Sequence, residues 1–140
     1  MIRFVVDASV AVKWVVTEIH SESARRLLGR NYTLLVPDFF FAEVTNVFWK
    51  RVQRQEDNAD NAKVALEAIA SQPLQVYPSL SLMFSAFDLA VKTKRAVYDC
   101  VYLTLAIESQ CQMVTADEKL VNALQQNPLA ASLCWVEDLP

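Results

Sequence analysis

Ile2-Arg3-Phe4-Val5-Val6-Asp7-Ala8-Ser9 opens the chain with a short, mostly apolar run and ends it on a carboxylate. β-Branched and aromatic side chains favour extended backbone, and a strand covered on both faces needs a nearly continuous apolar run. A carboxylate at its end loses part of its hydration and needs a partner that offsets the loss. The same placement recurs three times. Glu43 lies within Phe39-Phe40-Phe41-Ala42-Glu43-Val44, Asp99 opens Asp99-Cys100-Val101-Tyr102-Leu103-Thr104-Leu105-Ala106-Ile107, and Asp117 follows Cys111-Gln112-Met113-Val114-Thr115-Ala116. Four such acids brought together repel one another unless a cation stands between them. The pattern predicts a shared divalent-metal site.

Working outward from that first run, short extended stretches alternate with longer helical ones. Strands are predicted over residues 2–6, 32–36, 74–77, 111–114 and 133–136. Between them, Ser9 is expected to cap a short helix to residue 16, and a second helix spans 21–29 with Gly29 at its C-terminal end. Pro37 stops the second strand, Asp38 begins a long helix to about residue 55, and Asp57 or Asn58 caps the next, with Ala62, Leu66 and Ile69 on its core side. Ser79 caps a helix whose Leu80, Met83, Phe84, Phe87 and Val91 form a stripe expected to be core. A helix from about residue 97 is apolar almost all round, and Thr115 with Glu118 has the spacing of a capping box for the last helix. Alternating strands and helices predict an α/β fold, a mainly parallel sheet of four to five strands with helices on both faces. Sites in such sheets gather at the carboxyl ends of strands, where Asp7 and Asp117 sit.

The composition sets outer bounds. A chain of 140 residues, 54% apolar, fills one core, so residues 1–140 read as a single domain. Its single glycine, Gly29, leaves little scope for hairpin turns and favours crossover connections. No apolar stretch is long enough for a membrane span, and no secretory leader is evident, which predicts a soluble, cytoplasmic protein. Cys100, Cys111 and Cys134 are odd in number and set among apolar neighbours, so they read as reduced packing residues.

With 13 basic against 16 acidic residues the net charge is −3, and setting the four acids aside moves it to +1. The basic residues recur in groups, Arg25-Arg26 with Arg30, Lys50-Arg51 with Arg54, and Lys92 with Lys94-Arg95, each expected to be a solvated helix face. Trp14, Trp49 and Trp135 have apolar neighbours and read as packing residues. His20, the sole histidine, has no spacing to the acids that suggests a base.

Val5-Val6-Asp7-Ala8-Ser9, Phe41-Ala42-Glu43-Val44, Tyr98-Asp99-Cys100-Val101-Tyr102-Leu103 and Val114-Thr115-Ala116-Asp117, in this order, resemble the motifs of the PIN-domain family. Within it the chain is most similar to the compact VapC-type toxin ribonucleases. The resemblance spans residues 2 to about 136. It implies a three-layer α/β/α sandwich, Mg²⁺ or Mn²⁺ dependence, single-stranded RNA as substrate, homodimerisation and a protein antitoxin that inhibits the enzyme. By motif position it assigns Asp7, Glu43, Asp99 and Asp117 to the metal-binding catalytic cluster, with Ser9 and Thr115 supporting them. Lys13, on the helix after Asp7, and Arg95, before the helix bearing Asp99, are candidates for substrate binding.

Hard divalent cations prefer oxygen ligands and water, and a metal-activated water attacking a phosphodiester is the expected chemistry, leaving a 5′-phosphate. Two other readings fit parts of the pattern. A non-toxin RNA-processing nuclease of the same family would use the same residues. A Mg²⁺-binding phosphoacceptor domain shares the strand-end acids but requires paired acids after the first strand and a late lysine after a strand, neither of which is evident.

Overall fold

The apolar run at the start of the chain forms β1 (Ile2–Val6) and takes the middle of the sheet in the computed structural model, which describes residues 2–29 and 31–140. Arg30, grouped above with Arg25 and Arg26, lies outside the described residues. The chain continues through α1 (Ala8–Val15), α2 (Ser21–Arg25), β2 (Tyr32–Pro37), α3 (Phe40–Gln53), α4 (Ala59–Ala70) and β3 (Leu74–Tyr77). It then runs through α5 (Met83–Thr93), α6 (Val97–Glu108), β4 (Gln112–Thr115), α7 (Glu118–Leu124) and β5 (Leu133–Trp135). The five strands lie in the order β3-β2-β1-β4-β5, and every pairing is parallel.

The order follows from the chain path. From β1 it moves outward through β2 to β3, then crosses back to lay β4 against the free side of β1, with Val5 beside Met113 and Val6 beside Val114. The direction of winding therefore reverses between β1 and β4, which opens a crevice at their carboxyl ends. Val5, Val6, Leu35, Val36, Met113 and Val114 are fully buried, as strands covered on both faces must be. α1, α3 and α4 pack on one another, and the α5–α6 hairpin covers β1 and β2 through α6, whose residues from Cys100 to Ala106 are all buried.

Several local expectations are corrected. Asp7, not Ser9, caps α1, because its carboxylate accepts the Ser9 N–H at 3.4 Å while Ser9 sits inside the first turn. Asp117, not Thr115, caps α7. Asp38 lies ahead of α3 rather than in it and accepts the Ser79 N–H at 3.1 Å, tying the end of β2 to the segment after β3. β2 includes Pro37, which pairs with Tyr77. Gly29 ends a 3-10 turn with extended backbone (φ −77°), so it does not use glycine's conformational freedom. His20, Gln55, Lys94 and Gln110 instead hold the left-handed turns between elements.

The largest departure concerns α5. Its stripe is not core: Phe84 is 76% and Phe87 60% exposed, and Leu80, Met83 and Val91 are exposed with them. The buried side is formed by Leu82 and Ala86, with Leu89 and Ala90 partly covered. Trp49 is also 57% exposed rather than packed, whereas Trp14 is buried and donates to the Ala24 carbonyl at 3.0 Å. Cys100, Cys111 and Cys134 are free thiols, as expected.

Candidate active site

The crevice between β1 and β4 receives Asp7 from the end of β1 and Asp117 from the turn after β4. Glu43 enters from the first turn of α3 and Asp99 from the first turn of α6. Backbone chemistry fixes two of them. Asp117 accepts the N–H groups of Lys119 (3.0 Å) and Leu120 (3.4 Å), and its own N–H donates to the Thr115 hydroxyl at 3.1 Å. Asp7 accepts hydroxyl protons from Thr115 (2.8 Å) and Ser9 (3.1 Å) in addition to the Ser9 N–H. The Ala116 N–H in turn donates to the Ser9 oxygen at 3.3 Å, so Ser9 and Thr115 form one hydrogen-bonded unit joining the two strand ends.

Electrostatics report how close the acids are. Burial pushes the Asp7 carboxyl up to about 6 against the pull of its hydrogen bonds, and the charge of Asp99 adds to the rise. Glu43 is also raised, first by burial and then by Asp99. Asp99 is raised by burial and by Asp117, while Arg95 opposes the shift. Asp99 is thus near enough to Asp7, Glu43 and Asp117 for its charge to bear on theirs, which gives this end of the sheet an electronegative character.

Tyr102 was not singled out from the sequence. It is buried one turn beyond Asp99, and its hydroxyl donates to Glu43 at 2.7 Å. Its phenol is driven upward by burial and by the charges of Glu43 and Asp7, so it stays a donor. The available signal was a phenol on a helix otherwise apolar almost all round. The two predicted cations are already engaged. Lys13 is nearly buried, with its ammonium on Glu18 (3.1 Å) and the Ile19 carbonyl (2.9 Å), and Arg95 turns onto Asp99 at 3.5 Å. His20 is held by Glu137 and stacks edge-on against Trp135.

The donor set consists of carboxylate and hydroxyl oxygens, which suits a hard divalent cation. Among the described residues no three His, Cys, Asp or Glu side chains are already drawn together around one point. An ion bound here would take one or two carboxylates directly and reach others through water, the usual habit of Mg²⁺. Asp7, Glu43, Asp99 and Asp117 are the candidate carboxylates.

Fold and site together define a parallel α/β domain with a carboxylate cluster at the switch point of its sheet. Residues 4–123 match the PIN domain, and the chain belongs to that family. It is 32% identical over 120 residues to Ribonuclease VapC3 of Pyrobaculum aerophilum, covering 84% of this chain and 92% of that protein. The fold is shared with the crystal structure of PAE2754 from Pyrobaculum aerophilum (TM-score 0.75, 20% identity, 97% of this chain and 85% of that one). It is shared also with a toxin-antitoxin complex from Klebsiella pneumoniae (TM-score 0.63, 12% identity, 97% and 99%).

Proposed function

We propose that this chain is a metal-dependent endoribonuclease, a single domain over residues 1–140 that hydrolyses phosphodiester bonds of single-stranded RNA in the cytoplasm as the toxin of a type II toxin–antitoxin pair. The observation that carries the reading is the junction of the β1 and β4 ends, where Ser9 and Thr115 both donate to Asp7, with Glu43 held by Tyr102 and Asp99 held by Arg95 on the adjoining helices. The ribonuclease named above, similar over most of both chains, supports the activity, and the toxin–antitoxin complex of like fold supports a protein partner. No helix among the described residues is long and apolar enough to cross a membrane.

Asp7, Glu43, Asp99 and Asp117 would hold Mg²⁺ or Mn²⁺, which would supply acidification of water and compensation of phosphoryl charge. The chain's own residues arrange that setting. Thr115 and Ser9 fix both the position and the direction of the Asp7 oxygens. Tyr102 holds Glu43 and Arg95 holds Asp99, each by a single contact, while backbone N–H groups hold Asp117. Each of the four acids thus has at least one partner that restricts its side chain, and electrostatic catalysis depends on groups held in place before substrate arrives. The product is read as carrying the 5′-phosphate.

The exposed stripe of Leu80, Phe84, Phe87 and Val91 supports a homodimer, since a second copy covers it with the same face. The deciding experiment compares cleavage of single-stranded RNA by the wild type and Asp99→Asn, with Mn²⁺ present and then chelated. Activity is expected only for the wild type with metal, and equal activity in all four arms refutes the reading.

A further inference from the structure

Beside the acidic crevice lies a second concavity of about 400 Å³, walled by α1 and α3. Ser9 and Ala116 line it, and these two residues are hydrogen-bonded to each other, with Ser9 in turn bonded to Asp7. The concavity therefore borders the residues that hold Asp7, without being lined by the four acids themselves. Its other wall carries Lys50, Arg51 and Arg54 from the C-terminal half of α3, with Lys13, Glu18 and Glu56 at its margins.

The charges here do not cancel. Lys13 is matched by Glu18, and Arg51 faces Glu56 at 3.6 Å. Lys50 and Arg54 make no ion pair or side-chain hydrogen bond among the described residues, and the Arg51 Nε is buried without a partner. The lining thus has an excess of two positive charges in a chain whose net charge is −3. Lys50, in the last turn of α3, and Arg54, the residue that ends it, stand four positions apart, so their like charges repel. A polyanion lying along the helix removes that repulsion. A nuclease with an acidic centre also needs such a track, because its centre repels the strand it must cut.

We propose that this groove binds the phosphate backbone of the RNA strand next to the scissile bond, with Lys50 and Arg54 each taking a phosphate. The inference rests on the nuclease reading above and adds to it the path of the substrate. Neither residue touches the reacting atoms, so both are binding residues.

The test uses the full-length protein and a fluorescein-labelled single-stranded oligouridylate, with a chelator present so that the strand stays whole. Lys50→Gln with Arg54→Gln is compared with Lys92→Gln with Lys94→Gln, which removes the same charge from the end of α5 and the turn after it. The first pair is expected to weaken binding about five- to tenfold and to lower the slope of log Kd against log salt by about 1.4, roughly 0.7 for each lost phosphate contact. In Mn²⁺ its cleavage defect should lie in KM with kcat retained. The α5 pair should match the wild type in binding and slope. If the α3 pair also matches the wild type while the wild type cleaves RNA, the groove assignment is wrong and the nuclease reading stands. If the wild type neither binds nor cuts RNA, both fall. If the α3 pair loses binding to polyglutamate but not to oligouridylate, the groove receives an acidic protein segment and the RNA assignment is overturned.

Discussion

Asp7 serves three ends at once: it ends the central strand, caps α1 and presents its oxygens to the crevice. Its raised carboxyl means that the folded protein holds a proton there more tightly than the unfolded chain does. Stability from this group is therefore present at low pH and is lost as pH rises from about 4 toward about 6. Asp7→Asn removes the penalty, so in chelator it should raise the Tm at about pH 8 and leave it nearly unchanged at about pH 4, a difference thermal melts at the two pH values read directly. The same substitution should abolish metal-dependent cleavage. Tyr102→Phe keeps the buried ring and removes the proton held on Glu43. It should cost about 1 kcal/mol of stability and about tenfold in kcat, measured by urea unfolding and by steady-state cleavage.

At the scale of elements, α5 shows what a pattern in sequence does and does not carry. Leu80, Met83, Phe84, Phe87 and Val91 do fall on one helical face, and that much was legible. Periodicity gives an apolar face but not its cover, and the small Ala86 and Ala90 are what let α5 lie close to its neighbours. Phe84→Asp with Phe87→Asp should convert a dimer to a folded monomer whose Tm no longer depends on protein concentration, as light scattering after size-exclusion chromatography and thermal melts at two concentrations will show.

The caps of α1 and α7 were misplaced by two residues for a related reason. Ser, Thr and Asp all cap helices well, and the choice between Asp7 and Ser9, or Asp117 and Thr115, is made by where the strand stops. The four acids stand out in the sequence because each interrupts or ends an apolar run. Tyr102 does not, since its partner Glu43 lies 59 residues away. The Lys50-Arg51-Arg54 group was visible as charge but not as a groove wall, because α1 supplies the opposite side.

For the molecule as a whole, folding and ion binding are coupled through the crevice. The four acids come from segments that only the folded chain brings together, so on the proposed metal-dependent reading an ion bound there should stabilise the native state, by about 2.7 kcal/mol at a hundredfold excess over its Kd. Protons compete for the same oxygens. The rise in Tm caused by Mn²⁺ should be large at about pH 8, shrink as Asp7 gains its proton near 6, and be small in Asp7→Asn at every pH.

The sheet order has a consequence for synthesis. β1 gains its second neighbour only when β4 arrives, more than a hundred residues later, and Asp117 comes later still. A ribosome making this protein therefore carries an unfinished sheet until β4 has left the exit tunnel. A fragment that stops before β4 lacks both the completed centre of the sheet and Asp117, so synthesis itself times the assembly of the crevice.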